Sequence, residues 1–176
     1  MPPEVFVDVL PRSAELTVDG APLGPGSRAV PVPDPSRRYL FRAAAPGFQG
    51  VERADDGARL AGARIGLVLR PDGFGSARRL QLDDGDGLAA AAALLERRGQ
   101  HLAALEYARR AVEVAPREPR AQRVLGDAAL ALGRQQDAIQ AYSAYLRLAP
   151  DAPDAAAVER RVERLRGDQV VPVERR

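Results

Sequence analysis

The chain has 176 residues, enough for one domain or two small ones, and its 45% apolar and 28% charged content is that of a soluble globular protein. It contains no cysteine, which excludes disulfides and thiolate metal sites, and every basic residue is arginine. The net charge is +2, with 11 acidic and 11 basic residues over 1–84 and 13 against 15 over 85–176, so there is no basic stripe of the kind that binds nucleic acid.

The opening MPPEVFVDVLPRSAE has neither a basic n-region nor a long apolar run, and predicts no signal peptide. No stretch approaches the about 18–20 apolar residues needed to span a bilayer. The chain therefore reads as cytoplasmic, with a mature periplasmic or envelope fragment as the alternative. Arginine-only basic usage with abundant alanine points to a high-GC bacterial genome.

Residues 1–71 alternate with period two and break often. Val5, Val7 and Val9 share one strand face against Phe6, Asp8 and Leu10. Leu16 and Val18 form a second strand ending at Asp19-Gly20, a strong hairpin signal. Ala29, Val30 and Val32 suggest another, which Pro31 and Pro33 confine to an edge because proline donates nothing to a ladder. Tyr39, Phe41 and Ala43 alternate with Leu40 and Arg42 before Pro46-Gly47, and Ile65, Leu67 and Leu69 close the series at Pro71. Short strands divided by Gly/Pro turns predict a small β-sandwich. Asp55-Asp56-Gly57 reads as a loop between strands.

Ala14-Glu15-Leu16-Thr17-Val18-Asp19-Gly20, then Leu23-Gly24, Ala45-Pro46-Gly47-Phe48 and Val68-Leu69-Arg70-Pro71, resemble the PEGA domain over about residues 4–71. Pro11-Arg12-Ser13-Ala14 stands where that family has its eponymous tetrapeptide, and Pro25-Gly26 replaces its usual Thr-Pro. The resemblance implies a non-catalytic accessory module of envelope or signalling proteins. Residues 72–84 form a Gly-rich linker whose Leu80 and Leu82 add an edge strand or pin the two halves together.

From Gly85 the period becomes 3.6: Leu88, Ala91, Ala92 and Leu95 share one helix face, and Ala104, Ala108, Ala111 and Val112 the next. Gly99, Ala104 and Pro116 recur at a fixed interval as Gly133, Ala138 and Pro150. The runs GQHLAALEYARRAVEVAP and GRQQDAIQAYSAYLRLAP resemble the tetratricopeptide repeat, a helix–turn–helix unit of about 34 residues. The first repeat spans 85–118 and the second 119–152. Small residues fall at the close crossings, Ala92 with Ala104 and Gly126 with Ala138. Gly99 and Gly133 suit the left-handed position after the first helix, and Pro116 and Pro150 stop the second. Tyr145 stands where the family prefers alanine and is expected to pack on the following helix. Residues 153–166 resemble the charged capping helix of such arrays, and 167–176 read as a flexible tail. The fold class is thus multidomain, all-β plus all-α: a PEGA-like β-sandwich joined to a short α-solenoid. Two repeats are fewer than such arrays usually need. The β-module, a second copy of the chain, or a partner is expected to support the open end near Leu88.

Chemistry-bearing patterns are few. His101, the single histidine, falls at a helix start. Ser13, Ser27, Ser36, Ser76 and Ser143 have no plausible base. Asp83, Asp84 and Asp86 lack the 12-residue spread of an EF-hand and instead suit the dipole at a helix start. Gly73-Phe74-Gly75 lacks the ending of a phosphate-binding loop. No catalytic, cofactor or metal residues are assigned, and an enzyme is not expected.

By the resemblance, the first helix of each repeat lines a groove. That places Ala89, Ala93, Glu96 and Arg97 there from the first repeat, and Arg120, Arg123, Asp127 and Leu130 from the second. Arg120 and Arg123 could grip carboxylates. The family's peptide-carboxylate clamp needs Lys and Asn where this chain has Ala89, Ala93 and Val124, so that clamp is not expected. The resulting expectation is a non-enzymatic scaffold or adaptor that holds a protein or peptide partner. A structural or assembly component of the envelope and the regulatory part of a signalling system are the alternatives.

Overall fold

The structure, a computed structural model, describes residues 2–75 and 79–168. Residues 76–78 of the expected linker, with Ser76, and most of the expected tail lie outside the described residues.

The N-terminal half is β-rich. Strand β1 (Glu4–Leu10) is central in a three-stranded sheet, with β4 (Arg28–Pro31) antiparallel on one side and β8 (Arg64–Val68) parallel on the other. The second sheet is antiparallel, in the order β3 (Ala21–Pro25), β2 (Glu15–Val18), β5 (Arg38–Ala44), β7 (Val51–Asp56). The alternation read from the sequence sorts the faces. Val5, Val7 and Val9 of the first sheet meet Leu16, Tyr39, Phe41 and Ala43 of the second in one apolar core. The β2–β3 hairpin turns at Asp19 and Gly20, both with positive φ, and β4 lies at an edge as its prolines require.

One local feature differs from expectation. Asp55 and Asp56 end strand β7, and Gly57 opens a helical turn, α1 (Gly57–Leu60), that sinks Leu60 into the core. Leu80 and Leu82 form no strand and take the other expected role, pinning the two halves together. Leu80 is buried among helical residues, and Leu82 packs over Gly66, where a Cβ would come within 2.7 Å of it.

The C-terminal half is a stack of helical hairpins: α2 (Gly85–Arg97) with α3 (His101–Val114), α4 (Pro119–Ala131) with α5 (Gln135–Leu148), then α6 (Ala155–Gly167). The repeated sequence produces repeated geometry. Gly99 and Gly133 have φ of 72° and 71°, and each sits in a Schellman closure. The amides of Gln100 and Gly99 donate to Leu95 and Glu96, as those of Arg134 and Gly133 do to Ala129 and Leu130. Ala115 and Ala149, each before a proline, share φ near −135° to −139° and ψ near 65° to 69°. Asp84 caps α2 by accepting from the Gly87 amide, which gives one of the three clustered aspartates a helix-start role.

The β-module closes the open end of the stack. Leu10 and Val68 belong to the same core as Leu88, Leu95 and Leu105, and Leu80 joins them. Two short strands, β6 (Phe48–Gln49) and β9 (Arg70–Pro71), pair at this junction. Phe48 stacks on Tyr107, ring centroids 6.2 Å apart. The Tyr107 hydroxyl is buried there and donates between the carbonyls of Leu69 (2.5 Å) and Leu10 (3.1 Å). Burial pushes this phenol's pKa well above the ordinary tyrosine value, so it stays a donor.

Candidate protein-binding face

The first helices of the repeats, α2 and α4, lie side by side, and ion pairs carry the row on to α6. The residues expected to line the groove divide into three groups. Ala89 is fully buried in the helical core and presents nothing to a partner, a correction to its expected place in the groove. Helix α2 packs against both α3 and α4, and Ala89 lies in the core they share. Ala93 is half-buried against the same core, and Leu130 likewise.

A second group is already engaged within the chain. The Glu96 carboxylate lies 2.9 Å from Nδ1 of His101, an arrangement that locks the α2–α3 turn and gives the single histidine a structural partner. Arg123 pairs with Asp127 one turn along α4 and donates through Nε to Asp154, 3.0 Å away at the start of α6. Asp127 also accepts from the Tyr142 hydroxyl at 2.8 Å and from Arg161 of α6 at 3.2 Å. The Tyr145 hydroxyl donates to Asp154, so this ring does reach the following helix, through its polar tip.

The electrostatics follow from this geometry. Burial works against the Arg123 charge, but Asp127 and Asp154 outweigh it and raise its pKa. The hydrogen bond from Tyr145 leads in pulling the Asp154 carboxyl below its usual value. Burial, helped by Asp127, pushes the Tyr142 phenol up to about 12. Arg123 and Asp127 therefore serve first as the lock between the second repeat and the capping helix.

Arg97 and Arg120 remain for a partner. Arg97 is exposed at the end of α2, and Arg120 is half-exposed with only a 4.0 Å approach to the mobile-length side chain of Asp86, itself 80% exposed. A surface pair this long and wet contributes little and yields easily to a stronger anion.

The lock is not legible in the sequence, because its members come from three helices and meet only when these pack, although Arg123 with Asp127 and Tyr142 with Tyr145 sit at helical spacing. One compensation could have been found by overlaying the repeats. Ala92 and Ala108 of the first repeat become Gly126 and Tyr142 in the second. A Cβ on Gly126 would lie 2.5 Å from the Tyr142 ring, so the lost methyl makes room for the ring that carries the lock's hydroxyl.

Among the described residues no group of three metal-ligating side chains comes together, and no helix is long and apolar enough to cross a membrane. Residues 88–153 match the tetratricopeptide repeat family, which covers both helical hairpins and the turn into α6. Comparison with curated proteins gives no significant match.

Proposed function

We propose that this chain, with a tetratricopeptide region at residues 88–153 as its working part, is a non-enzymatic adaptor that holds a segment of another protein. Repeats of this family stack small helical hairpins to present an extended face, and such faces typically mediate protein–protein contacts. The observation that carries the reading is the matched pair of hairpins, stabilised at both ends within the chain itself, so that its face is pre-organised. Arg97 and Arg120, beside Ala93 and Leu130, offer cationic edges to a weakly apolar floor, which suits an extended segment bearing carboxylates.

The β-module is read as PEGA-like and bacterial, on its Asp19-Gly20 hairpin, its Pro46-Gly47-Phe48 turn and its two facing sheets. In this reading it acts as the support for the repeats.

The test is affinity capture from source cells with the whole chain and with Arg97→Glu/Arg120→Glu. A protein retained by the parent and lost by the variant, at unchanged melting temperature, supports the reading. Identical retention by both removes the face from consideration. Arg123→Ala is unsuitable as this control because it also loosens α6.

A further inference from the structure

A second recessed surface is lined by no residue of the first helices α2 and α4. It is a cleft of about 460 Å³ between the outward face of α3 and the end of β1, with the turn after it. Its α3 wall is a helical stripe: Leu102, Glu106, Arg109 and Glu113. Facing residues include Asp8, Arg12 and Arg64, and Arg134 closes it from the start of α5.

Five arginines line the cleft against three carboxylates, and the commitments of each decide its character. Arg64 is paired with Asp8, its second nitrogen at 3.0 Å, and lies over the Phe6 ring. Arg110 donates to the Leu82 carbonyl at 2.7 Å and pairs with Glu113 at 3.0 Å. Arg109 reaches Asp137 at 3.2 Å. Glu106 makes no ion pair among the described residues and accepts the backbone amide of Arg12 at 2.8 Å. That bond holds the turn after β1 against α3 and leaves the Arg12 side chain to the cleft. The guanidinium groups of Arg12 and Arg134 make no ion pair among the described residues. The same cleft holds Leu102, 66% exposed, the most exposed large apolar side chain among the described residues.

We propose that this cleft docks an acidic segment of a protein partner, placing carboxylates on Arg12 and Arg134 and an apolar side chain on Leu102. Two uncommitted cations and a bare leucine lining one cleft match a segment that alternates acidic and apolar residues. A nucleic acid fits poorly, because the lining has no aromatic side chain to stack a base and three carboxylates would face the phosphates. The docking site goes beyond the first-helix face and shares no residue with it, so each can fail without the other.

The experiment is fluorescence anisotropy on the whole chain with a labelled Glu-rich peptide carrying one central leucine. Saturable binding is expected, weakened at least about tenfold by Arg12→Glu/Arg134→Glu and about threefold by Leu102→Ser. Arg97→Glu/Arg120→Glu should leave it unchanged. These side chains hold no partner in the fold, so melting temperatures should match the parent. If charge reversal lowers them, Arg12→Gln/Arg134→Gln replaces it, with a loss of several-fold expected. Absence of saturable binding overturns the proposal, as does binding that survives both arginine variants. Equal binding of a peptide with serine in place of leucine, fully displaced by inorganic phosphate, also overturns it by showing a bare anion site.

Discussion

The two ends of the helical stack are closed by opposite chemistry. At the first repeat, the β-module contributes Leu10, Val68 and the linker's Leu80 to a continuous apolar core, with a single buried hydroxyl, that of Tyr107, satisfying two carbonyls. At the second repeat, α6 is held over Val158, Val162 and Leu165 but is fastened by Arg123, Asp127, Asp154, Arg161 and two tyrosine hydroxyls. The first closure draws on burial and is insensitive to salt. The second draws partly on half-exposed charges and weakens with salt and extreme pH. A short solenoid can thus have one permanent end and one adjustable end.

The largest effect expected from breaking this contrast is at Tyr107. Tyr107→Ala empties a fully buried site and should cost about 3–5 kcal/mol. Tyr107→Phe strands the Leu69 carbonyl, while that of Leu10 keeps the Leu69 amide at 2.9 Å, and should cost about 1–2 kcal/mol. Urea unfolding measures both, and a drop in the slope with Tyr107→Ala would mean that the two halves have begun to unfold separately.

Gly126→Ala tests the compensation behind the adjustable end. In the parent, the new methyl collides with the Tyr142 ring and should destabilise by about 1–3 kcal/mol, despite alanine's better helix propensity. In a Tyr142→Ala background the sign should reverse, giving a gain of up to about 1 kcal/mol, because the pair then repeats Ala92 and Ala108. A cost of equal size in both backgrounds would sink the explanation.

Arg123→Ala should cost about 1 kcal/mol at low salt and less at high salt, with coupling to Asp154→Ala in a double-mutant cycle. Tyr107→Phe should show no such salt dependence, which makes the pair of measurements a direct reading of the contrast. The smallest effect is alkaline. The Tyr142 phenol is raised from 10.0 to about 12 in the fold. Stability from keeping it protonated is therefore complete below the unfolded value near 10 and is lost as pH rises toward about 12. Amide exchange along α6 should quicken in that window, and Tyr142→Phe should lessen the change, leaving the share that comes from Tyr145.

What was legible in the sequence is what local chemistry decides. Gly99 and Gly133 announce the first-helix closures because a Schellman turn needs a left-handed residue within a few positions. Val5, Val7 and Val9 announce a strand face for the same short-range reason. Strand β7 escaped notice because Val51–Asp56 carries four charged residues at a sheet edge and shows no apolar alternation. The parallel pairing of β1 with β8 is a register between residues some sixty positions apart, and no local pattern encodes it. Ala89 goes into the core because α2 packs against α3 and α4 at once, which the pattern of one helix does not reveal. The cleft drew on residues from Asp8 to Arg134, so only the folded chain could assemble it.

Glu106 and Tyr107 are consecutive residues on one turn of α3, and between them they serve the backbone of three distant positions: the amide of Arg12 and the carbonyls of Leu10 and Leu69. Modules that meet only through side chains can be recombined freely, since any compatible surface will do. Here the β-module has surrendered main-chain groups to its neighbour. Grafted onto another helical array, it would arrive with the Arg12 amide and the Leu69 carbonyl bare unless that array carried an acid followed by a tyrosine at the matching turn. The pair acts as a compatibility key, and a search for natural exchanges of this module can be filtered by those two residues alone.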